Sequence, residues 1–375
     1  MPDVTTASLA ANIQRIADTW APQRAERQRR RSLDRADFDA LKDAGYLLCA
    51  VPSDLEGLWQ SVPESTRSIS ELLRTLARSD PSVALVAAMH PAVLQPYAAA
   101  PDDAVLGWAE QRRWLYQTVL DGGQWGTIVS EPGSGGNSAL SKAELTVDDM
   151  GRDVLSGRKH FGSGSGVTSY MITNALAEGA TAPGTLFLDV RDVPWDGSTG
   201  MKLIAEWDGH GMAATQSHSF QFENFPVIKC LLTTSFPAAG FIATLFSAVI
   251  LGVTEAAMAA AREELGRKRD TASHYQRSEW SQAELEEWLL HQAYEGMLRE
   301  GETGGSAFRL LPGKTAMAQL AESLTLRLTR IMGGSTFGRG SPYGFWFEDV
   351  RALGFLRPPW VLAFDNLWAM SWAQS

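Results

Sequence analysis

The residues best suited to chemistry lie in two short segments near the middle of the chain. The first reads "SEPGSGG", from Ser130 to Gly136, and the second reads "GRKHFGSGSG", from Gly157 to Gly166. Both combine hydroxyl side chains with glycines, so each can offer hydroxyl and backbone hydrogen bonds to a ligand. Tight turns also need glycine for positive φ, without any ligand. For Gly133, Gly135 and Gly136 both explanations stay open.

A phosphate-binding loop does not explain these glycines. Such a loop opens a helix, where backbone N–H groups and the helix dipole hold the anion. Here the residues after the first segment read "ALSKAELTV" and those after the second read "VTSYMITNAL". Their alternating, β-branched patterns predict strands. The chain also lacks GxxxxGK[ST], so we expect neither a P-loop nor a Rossmann site.

Histidine is the other candidate for proton transfer. Among six histidines, His90 interrupts an apolar helical pattern in "ALVAAMHPAVL", and its reference pKa near neutrality suits acid–base work. The alternative is a core histidine bonded to backbone, or one that ends a helix before Pro91. His160, His210 and His218 show no metal-ligand spacing, so we expect no metal site.

The composition predicts a globular, cytoplasmic protein. The chain has 375 residues, of which 45% are hydrophobic, enough for a sizeable core. Its net charge of −10 argues against a nucleic-acid partner, and the basic run "RAERQRRR" reads as a solvated helix face. The apolar run from Phe241 to Val253 is short for a membrane span and predicts a buried helix instead. Cys49 and Cys230 lie in apolar surroundings, which predicts buried free thiols.

Hydrophobic periodicity divides the chain into three parts. Residues 1–120 show helical patterns, with Ser32 or Asp34 as the cap of one helix. Residues 121–232 show short β-rich runs separated by glycine, proline and asparagine, typical of an antiparallel sheet. Residues 233–375 return to helical patterns from Pro237 onward. The predicted fold class is α+β: an N-terminal helical domain, a middle antiparallel β domain and a C-terminal helical bundle.

This order, with the two segments, resembles the acyl-CoA dehydrogenase superfamily of flavoproteins over essentially the whole chain. The segment "EWDGHGMAATQSHSFQFENFPV" and the double glycine at 333–334 add to the match. The resemblance implies bound FAD, with FMN as the alternative. It places Ser130 at the N5 and O4 edge of the flavin ring, Phe161 on the ring and Ser163 at its rim. The implied cofactor-binding residues in this region are Val129, Ser130, Gly135, Phe161 and Ser163.

The resemblance also implies shared sites between subunits. Gly333 and Gly334 match a pair that approaches the cofactor of a neighbouring subunit, and Arg267 matches an arginine that reaches the FAD pyrophosphate or adenosine. We therefore predict a homotetramer built as two dimers. The alternatives are a helix C-cap for the two glycines and a solvated surface for Arg267.

The chain differs from the dehydrogenases of this family at the positions of the catalytic base. A dehydrogenase needs a carboxylate base to remove the α-proton of its substrate. One of the two places where the family keeps it holds Arg357 and Pro358, and the other, around Ile242 and Ala243, also lacks a carboxylate. We predict that none of the nearby carboxylates is that base, namely Glu255, Glu348 and Asp349.

The monooxygenase branch of the superfamily fits better. Its members react reduced flavin with oxygen, and their loop often reads Gly-x-x-x-Phe-x-Ser-Gly, as Gly157 to Gly164 do here. Ser130 and Ser163 could donate hydrogen bonds near N5 without a carboxylate. The histidine that these enzymes commonly carry is absent, because Phe355 or Leu356 stands in its place.

The prediction is therefore a flavin-dependent oxidoreductase, a monooxygenase or oxidase, that acts on a small apolar or aromatic metabolite. His90 and Ser163 are its predicted catalytic residues. We expect a flavin reductase as a partner, and neither nucleic acid nor membrane. An acyl-CoA dehydrogenase with an unrecognised base and a non-catalytic flavin-fold protein are the alternatives.

Overall fold

The computed structural model describes residues 4–98, 100, 107–231, 241–305 and 307–372. Helices come first, a β-sheet follows and helices return, as the periodicity predicts. Pro237, where the helical pattern resumes in the sequence, lies outside the described residues. The domain boundaries stay predictions.

Six α-helices precede the sheet in the described part of the chain. One sequence ambiguity is resolved in this part, because the side chain of Asp34, and not that of Ser32, caps a helix by accepting a hydrogen bond from the backbone N–H of Ala36. The helices are α1 (Thr6–Trp20), α2 (Arg24–Arg27), α3 (Arg35–Asp43), α4 (Val62–Ala77), α5 (Pro81–Ala98) and α6 (Trp108–Leu120).

Helix α5 is a core helix. Its buried residues lie on every face, as expected for a helix surrounded by other elements. It continues through Pro91 and Pro96, so the sequence expectation that a helix ends at His90 is wrong. It packs against α4, the first strand of the sheet and the long helix Phe241–Gly266.

The described residues form a sheet of eight strands with mixed pairing. Seven of these strands join in the order β6-β7-β3-β2-β4-β5-β8, and β1 pairs with β4. Antiparallel pairing, as predicted, holds except that β1 and β2 both run parallel to β4. The strands are β1 (Trp125–Thr127), β2 (Glu144–Val147), β3 (Asp153–Gly162), β4 (Tyr170–Ala177), β5 (Gly184–Asp189), β6 (Met201–Ala205), β7 (His218–Pro226) and β8 (Lys229–Leu231).

Helices return after the sheet and pack around α7. Adding a Cβ at Gly252 of α7 would place it 2.3 Å from the backbone oxygen of Arg74, so this glycine permits close approach to α4. The helices are α7 (Phe241–Gly266), α8 (His274–Glu302), α9 (Ala307–Met332), α10 (Pro342–Val350), α11 (Ala352–Phe355) and α12 (Trp360–Trp372).

Helix α7 tests the expectation of a buried helix. Within the described part of the chain it is the one helix long and apolar enough to cross a membrane, and 78% of its most apolar window is buried inside the protein. This burial is what a core helix requires. Cys49 is also a buried free thiol, as predicted, and burial raises its pKa. The side chain of Cys230 lies outside the described part.

Candidate functional site

The two glycine-containing segments lie side by side. Strand β1 leads into the first segment, and the backbone N–H of His160 donates to the carbonyl of Ser130 at 2.7 Å. This isolated antiparallel bridge holds Ser130 against the end of β3. Val129 and Ser130 remain half-buried, so they line a surface and not the core. The sequence therefore identified two segments that the fold brings together.

A buried ion pair between Lys159 and Glu131 holds the first segment against β3. The Nζ of Lys159 lies 2.5 Å from Oε1 of Glu131 and 2.5 Å from the carbonyl oxygen of Asn174. Glu131 also accepts from the hydroxyl of Ser141 at 2.5 Å and from the backbone N–H of Lys142 at 2.6 Å. Burial alone would raise the pKa of Glu131, but these hydrogen bonds and the ammonium hold it below its usual value.

Phe161 presents an exposed ring from a strained backbone. Its φ is +59°, a conformation rare for bulky residues, and 55% of the residue is exposed. The ring meets the edge of Trp207, with centroids 6.1 Å apart. Such backbone strain costs roughly 1–3 kcal/mol and is concentrated at functional sites. The exposed ring is therefore accessible to a planar ligand.

Ser163 begins a chain of buried hydroxyl groups. Its Oγ lies 2.8 Å from Oγ of Ser217, which lies 2.7 Å from Oγ1 of Thr215. The Thr215 hydroxyl donates to the carbonyl of Met212 at 2.8 Å. Met212 and Gln216 also have positive φ, +49° and +47°. Met212 and Gln216, both with positive φ, therefore flank Thr215 in the segment that leads into β7.

Arg357 reaches the same site from the C-terminal helical part. Its guanidinium donates to the hydroxyl of Ser130 at 3.2 Å. Arg357 is exposed to solvent, and among the described residues no carboxylate forms a salt bridge with it. The neighbouring Pro359 packs on the first segment, because a Cβ at Gly136 would lie 2.8 Å from its Cγ. An unpaired cation thus lies beside Ser130.

His90 has a structural role in this fold. The ring is fully buried, Nδ1 accepts from the backbone N–H of Trp125 at 3.1 Å, and Nε2 lies 3.2 Å from the carbonyl of Leu47. Because a backbone N–H can only donate, the proton of the neutral ring must be on Nε2. Burial lowers the pKa of His90 to about 4. The catalytic role predicted for His90 gains no support, since both nitrogens are already bonded to backbone groups.

The remaining predicted residues divide into two groups. Gly135 has φ +59° and open space at its Cβ position, so a tight turn is sufficient to explain this glycine, and its contact with a flavin stays a prediction. Gly333 has φ +83° at the end of α9, and open space surrounds both Gly333 and Gly334. Arg267 is exposed, directly follows the end of α7 and pairs with Glu263 in the last turn of that helix. A role for Arg267, Gly333 and Gly334 at a neighbouring subunit's cofactor stays a prediction.

The three candidate carboxylates are engaged elsewhere. Glu348 lies 2.6 Å from Arg351, and Glu255 pairs with Arg74 and Arg78. Oδ1 of Asp349 accepts from the backbone N–H of Met212 at 2.6 Å. Burial raises the pKa of Asp349 to about 7.

Several residues at this site were not predicted as site residues. Ser217 and Thr215 occur in the quoted "GMAATQSHSF" stretch, and Glu131 and Lys159 occur in the two segments themselves. Arg357 was noted only as the residue that replaces a base. The sequence signal for these residues was their position inside the segments that resemble the family. Their contacts with one another could not be predicted from the sequence.

Comparison with known proteins adds the following findings. No protein-family model matches the chain. It is 29% identical over 259 residues to the "Probable FMNH2-dependent monooxygenase SfnC" of Pseudomonas putida, over 66% of this chain and 60% of that relative. It is 23% identical over 377 residues to the 3-sulfinopropanoyl-CoA desulfinase of Variovorax paradoxus, over 94% of this chain and 90% of that relative.

A solved structure shares the fold. FMN-bound TdsC from Paenibacillus sp. A11-2 superimposes with a TM-score of 0.80 at 18% identity, over 98% of each chain. At this identity the likeness concerns the fold, in which helices enclose a sheet on the same plan.

Proposed function

We propose that this chain, a member of the acyl-CoA dehydrogenase superfamily on the side of its flavin monooxygenases, oxygenates a small substrate with reduced FMN and dioxygen. The reaction would consume the substrate, dioxygen and reduced FMN, and yield the oxygenated product, water and oxidised FMN. The finer division into domains at 1–120, 121–232 and 233–375 belongs to the same proposal.

The described residues fit a flavin. Phe161 offers a free aromatic face, and Ser130, Ser163 and the backbone around them offer polar groups beside it. In addition, Nε2 of His160 is buried without a hydrogen-bond partner, next to Phe161. A buried polar atom of this kind calls for a ligand or an ordered water. When bound, reduced FMN supplies two electrons to dioxygen, which is chemistry that the cofactor itself carries.

The residues that we propose to hold the flavin are those predicted from the sequence. Ser130 and Ser163 would contact its polar edge, Phe161 would stack on the ring, and Val129 and Gly135 would border it. FMN is favoured over FAD by the cofactor named for the FMNH2-dependent relative and for FMN-bound TdsC. Arg267, Gly333 and Gly334 would complete the site of a neighbouring subunit.

One observation carries the choice of reaction: the cation beside Ser130. Arg357 stands where a dehydrogenase would keep its base, and a guanidinium has no lone pair with which to accept a proton. The three candidate carboxylates are each bonded to an arginine or a backbone N–H. With a cation in this position, α-proton abstraction is disfavoured and oxygen chemistry on reduced flavin is favoured.

The substrate and the partners follow from the same reasoning. We propose a small metabolite, of apolar, aromatic or organosulfur type, since the desulfinase relative is named for a sulfur compound. A separate flavin reductase would supply the reduced FMN. Helix α12 exposes a row of large apolar side chains, which supports assembly into a homotetramer; the row comprises Val361, Phe364, Trp368 and Trp372. A cytoplasmic location remains part of the proposal.

The experiment separates oxygenation from dehydrogenation. FMN-loaded protein is reduced without oxygen and then mixed with oxygenated buffer, and the flavin absorbance is followed. We expect a transient species distinct from both oxidised and reduced flavin, whose lifetime shortens with substrate. In parallel, oxidised protein is mixed anaerobically with short, medium, branched and aromatic acyl-CoA esters, and we expect no bleaching.

Two variants make the second arm decisive. Rapid bleaching by an acyl-CoA ester, lost in Glu348→Gln or Asp349→Asn while flavin stays bound, would establish the dehydrogenase alternative instead. Failure of the chain to bind FMN in either redox state would favour the non-catalytic alternative. Arg351→Gln is the matched control, because it disrupts the same helix end without removing a carboxylate.

A further inference from the structure

We infer that the guanidinium of Arg357 binds an anionic group of the substrate, and that the buried ammonium of Lys314 positions it. The anionic group is a carboxylate, sulfinate or sulfonate on a small organic molecule, because a guanidinium binds such oxyanions through two parallel N–H bonds. The inference rests on the proposed function and narrows the substrate class of that same site.

Arg357 keeps most of its hydrogen-bond donors available to a ligand. A guanidinium has five N–H groups. Among the described residues one side-chain bond is recorded for it, from Nη2 to the hydroxyl of Ser130 at 3.2 Å. The residue is exposed, and no carboxylate in the described ranges forms a salt bridge with it. Arg357 therefore presents an accessible cation at the candidate site.

Lys314 holds the backbone on both sides of Arg357. It lies on α9, and 2% of its surface is exposed. Its ammonium donates to the carbonyl of Leu356 at 2.9 Å and to the carbonyl of Pro358 at 2.7 Å. These two bonds attach the loop that carries Arg357 to the C-terminal helical part of the chain.

The ammonium of Lys314 is energetically unfavourable where it lies. Burial lowers its pKa to about 8, and no carboxylate in the described part of the chain pairs with it. A buried charge without a counter-charge is disfavoured, whereas an apolar side chain could fill the same space. Its two bonds fix the loop, so that Arg357 is held beside Ser130 before a ligand arrives. Such preorganisation strengthens binding.

The charges connected to Ser130 leave a positive excess. Lys159 is compensated by Glu131 at 2.5 Å. Burial lowers the pKa of Lys159, Glu131 raises it, and the charge of Arg357 lowers it again, so the two cations lie in one electric field. Arg357 and Lys314 have no such carboxylate among the described residues, although the chain carries a net charge of −10. An anion is the ligand that compensates them.

The substrate and the phosphate of FMN could each supply this anion, and we assign it to the substrate. In the proposed function Ser130 borders the flavin ring, so a cation 3.2 Å from its hydroxyl lies on the side of the ring and not of the phosphate. Phe355, two positions before Arg357, is 63% exposed. An apolar side chain close to a cation suits an organic anion, which carries an apolar body as well as a charge.

The test compares acids with their neutral amides on FMN-saturated protein. Acetate, butyrate, benzoate and methanesulfonate are titrated by calorimetry against acetamide, butyramide, benzamide and methanesulfonamide. We expect the wild type to bind at least one acid about tenfold more tightly than its amide, because charge-assisted hydrogen bonds are the stronger ones. Arg357→Gln should abolish this preference and leave the dissociation constant of FMN unchanged within about threefold. Arg357→Lys should keep part of the preference, since lysine retains the charge but not the two parallel donors.

Lys314→Met tests the positioning role. It removes the ammonium but leaves Arg357 in the chain, so the affinity for the acid should fall while the affinity for the amide stays the same. A merely structural role would weaken both ligands equally. Lys314→Arg keeps the charge and the donors and should retain most of the preference. Arg158→Gln is the matched control, because this exposed arginine on β3 loses the same charge away from the loop, and its preference should equal that of the wild type.

The outcomes separate the inference from the proposed function. Wild-type protein that binds FMN but binds every acid no more tightly than its amide would overturn the inference, and so would a preference that persists in Arg357→Gln. An FMN affinity about tenfold or more weaker in Arg357→Gln would assign the cation to the flavin instead. Equal losses for acid and amide in Lys314→Met would overturn the positioning role. Absence of FMN binding to the wild type would overturn the proposed function.

Discussion

Removing Glu131 should destabilise the candidate site more than removing its partner Lys159. Lys159 is fully buried, with a side-chain exposure of 0%, whereas the Glu131 side chain is 5% exposed. In Glu131→Gln the ammonium keeps the oxygens of Asn174 but loses its counter-charge. In Lys159→Met the carboxylate keeps the hydroxyl of Ser141 and the N–H of Lys142.

The expected loss of folding free energy follows from the hydrogen bonds that remain in each variant. Breaking a buried ion pair on one side costs roughly 3–5 kcal/mol, because an uncompensated charge stays behind. We expect Glu131→Gln to lie at the upper end of that range and Lys159→Met at the lower end. The double variant, which leaves no buried charge, should lie within about 2 kcal/mol of the wild type, since a buried pair is often replaceable by uncharged groups.

The assay is a double-mutant cycle read by urea unfolding and by FMN titration. Both single variants should also weaken FMN binding, because the pair supports the turn that carries Ser130. Glu131 has a lowered folded-state pKa, so its contribution is present above its unfolded pKa and is lost as pH falls through the folded value. Strictly additive effects of the two substitutions would refute the reasoning, since they would mean that the two charges do not interact.

The remaining predictions concern the ring, the histidine and the assembly. Phe161→Ala should weaken FMN binding by about 1–3 kcal/mol through lost stacking, and an unchanged dissociation constant in a flavin titration would rule out its placement on the ring. Folding lowers the pKa of His90 from 6.5 to about 4. As the pH falls, the histidine is therefore protonated in the unfolded chain before it is protonated in the folded protein. Stability should therefore fall by about 3 kcal/mol as pH drops from 6.5 to 4, and a His90→Gln variant, followed by urea unfolding, should lose that dependence. Light scattering at micromolar concentration should show a tetramer that Trp368→Glu disrupts, whereas a flavin-bound monomer of the wild type would contradict the predicted assembly.

Local patterns were enough to predict the order and type of the elements. The cap at Asp34, the strands after each glycine segment and the buried helix α7 depend on interactions between residues close in sequence or on one apolar surface. The expectation that the two segments border a flavin came from the resemblance to the acyl-CoA dehydrogenase superfamily and not from these patterns. They did not predict that β1 and β2 run parallel to β4, because strand direction in a sheet depends on the path of the connections between strands.

The chemistry of the site was decided by the tertiary structure. His90 is a structural residue because Leu47 and Trp125, 43 and 35 positions away, bond its two nitrogens. The hydroxyl of Ser163 is bonded to that of Ser217, 54 positions along the chain, and the hydroxyl of Ser130 accepts from Arg357, 227 positions away. A sequence specifies which groups can donate or accept, but whether a hydroxyl donates to a ligand depends on which partner already holds its proton or its lone pair. That partner is present only once distant segments have packed together.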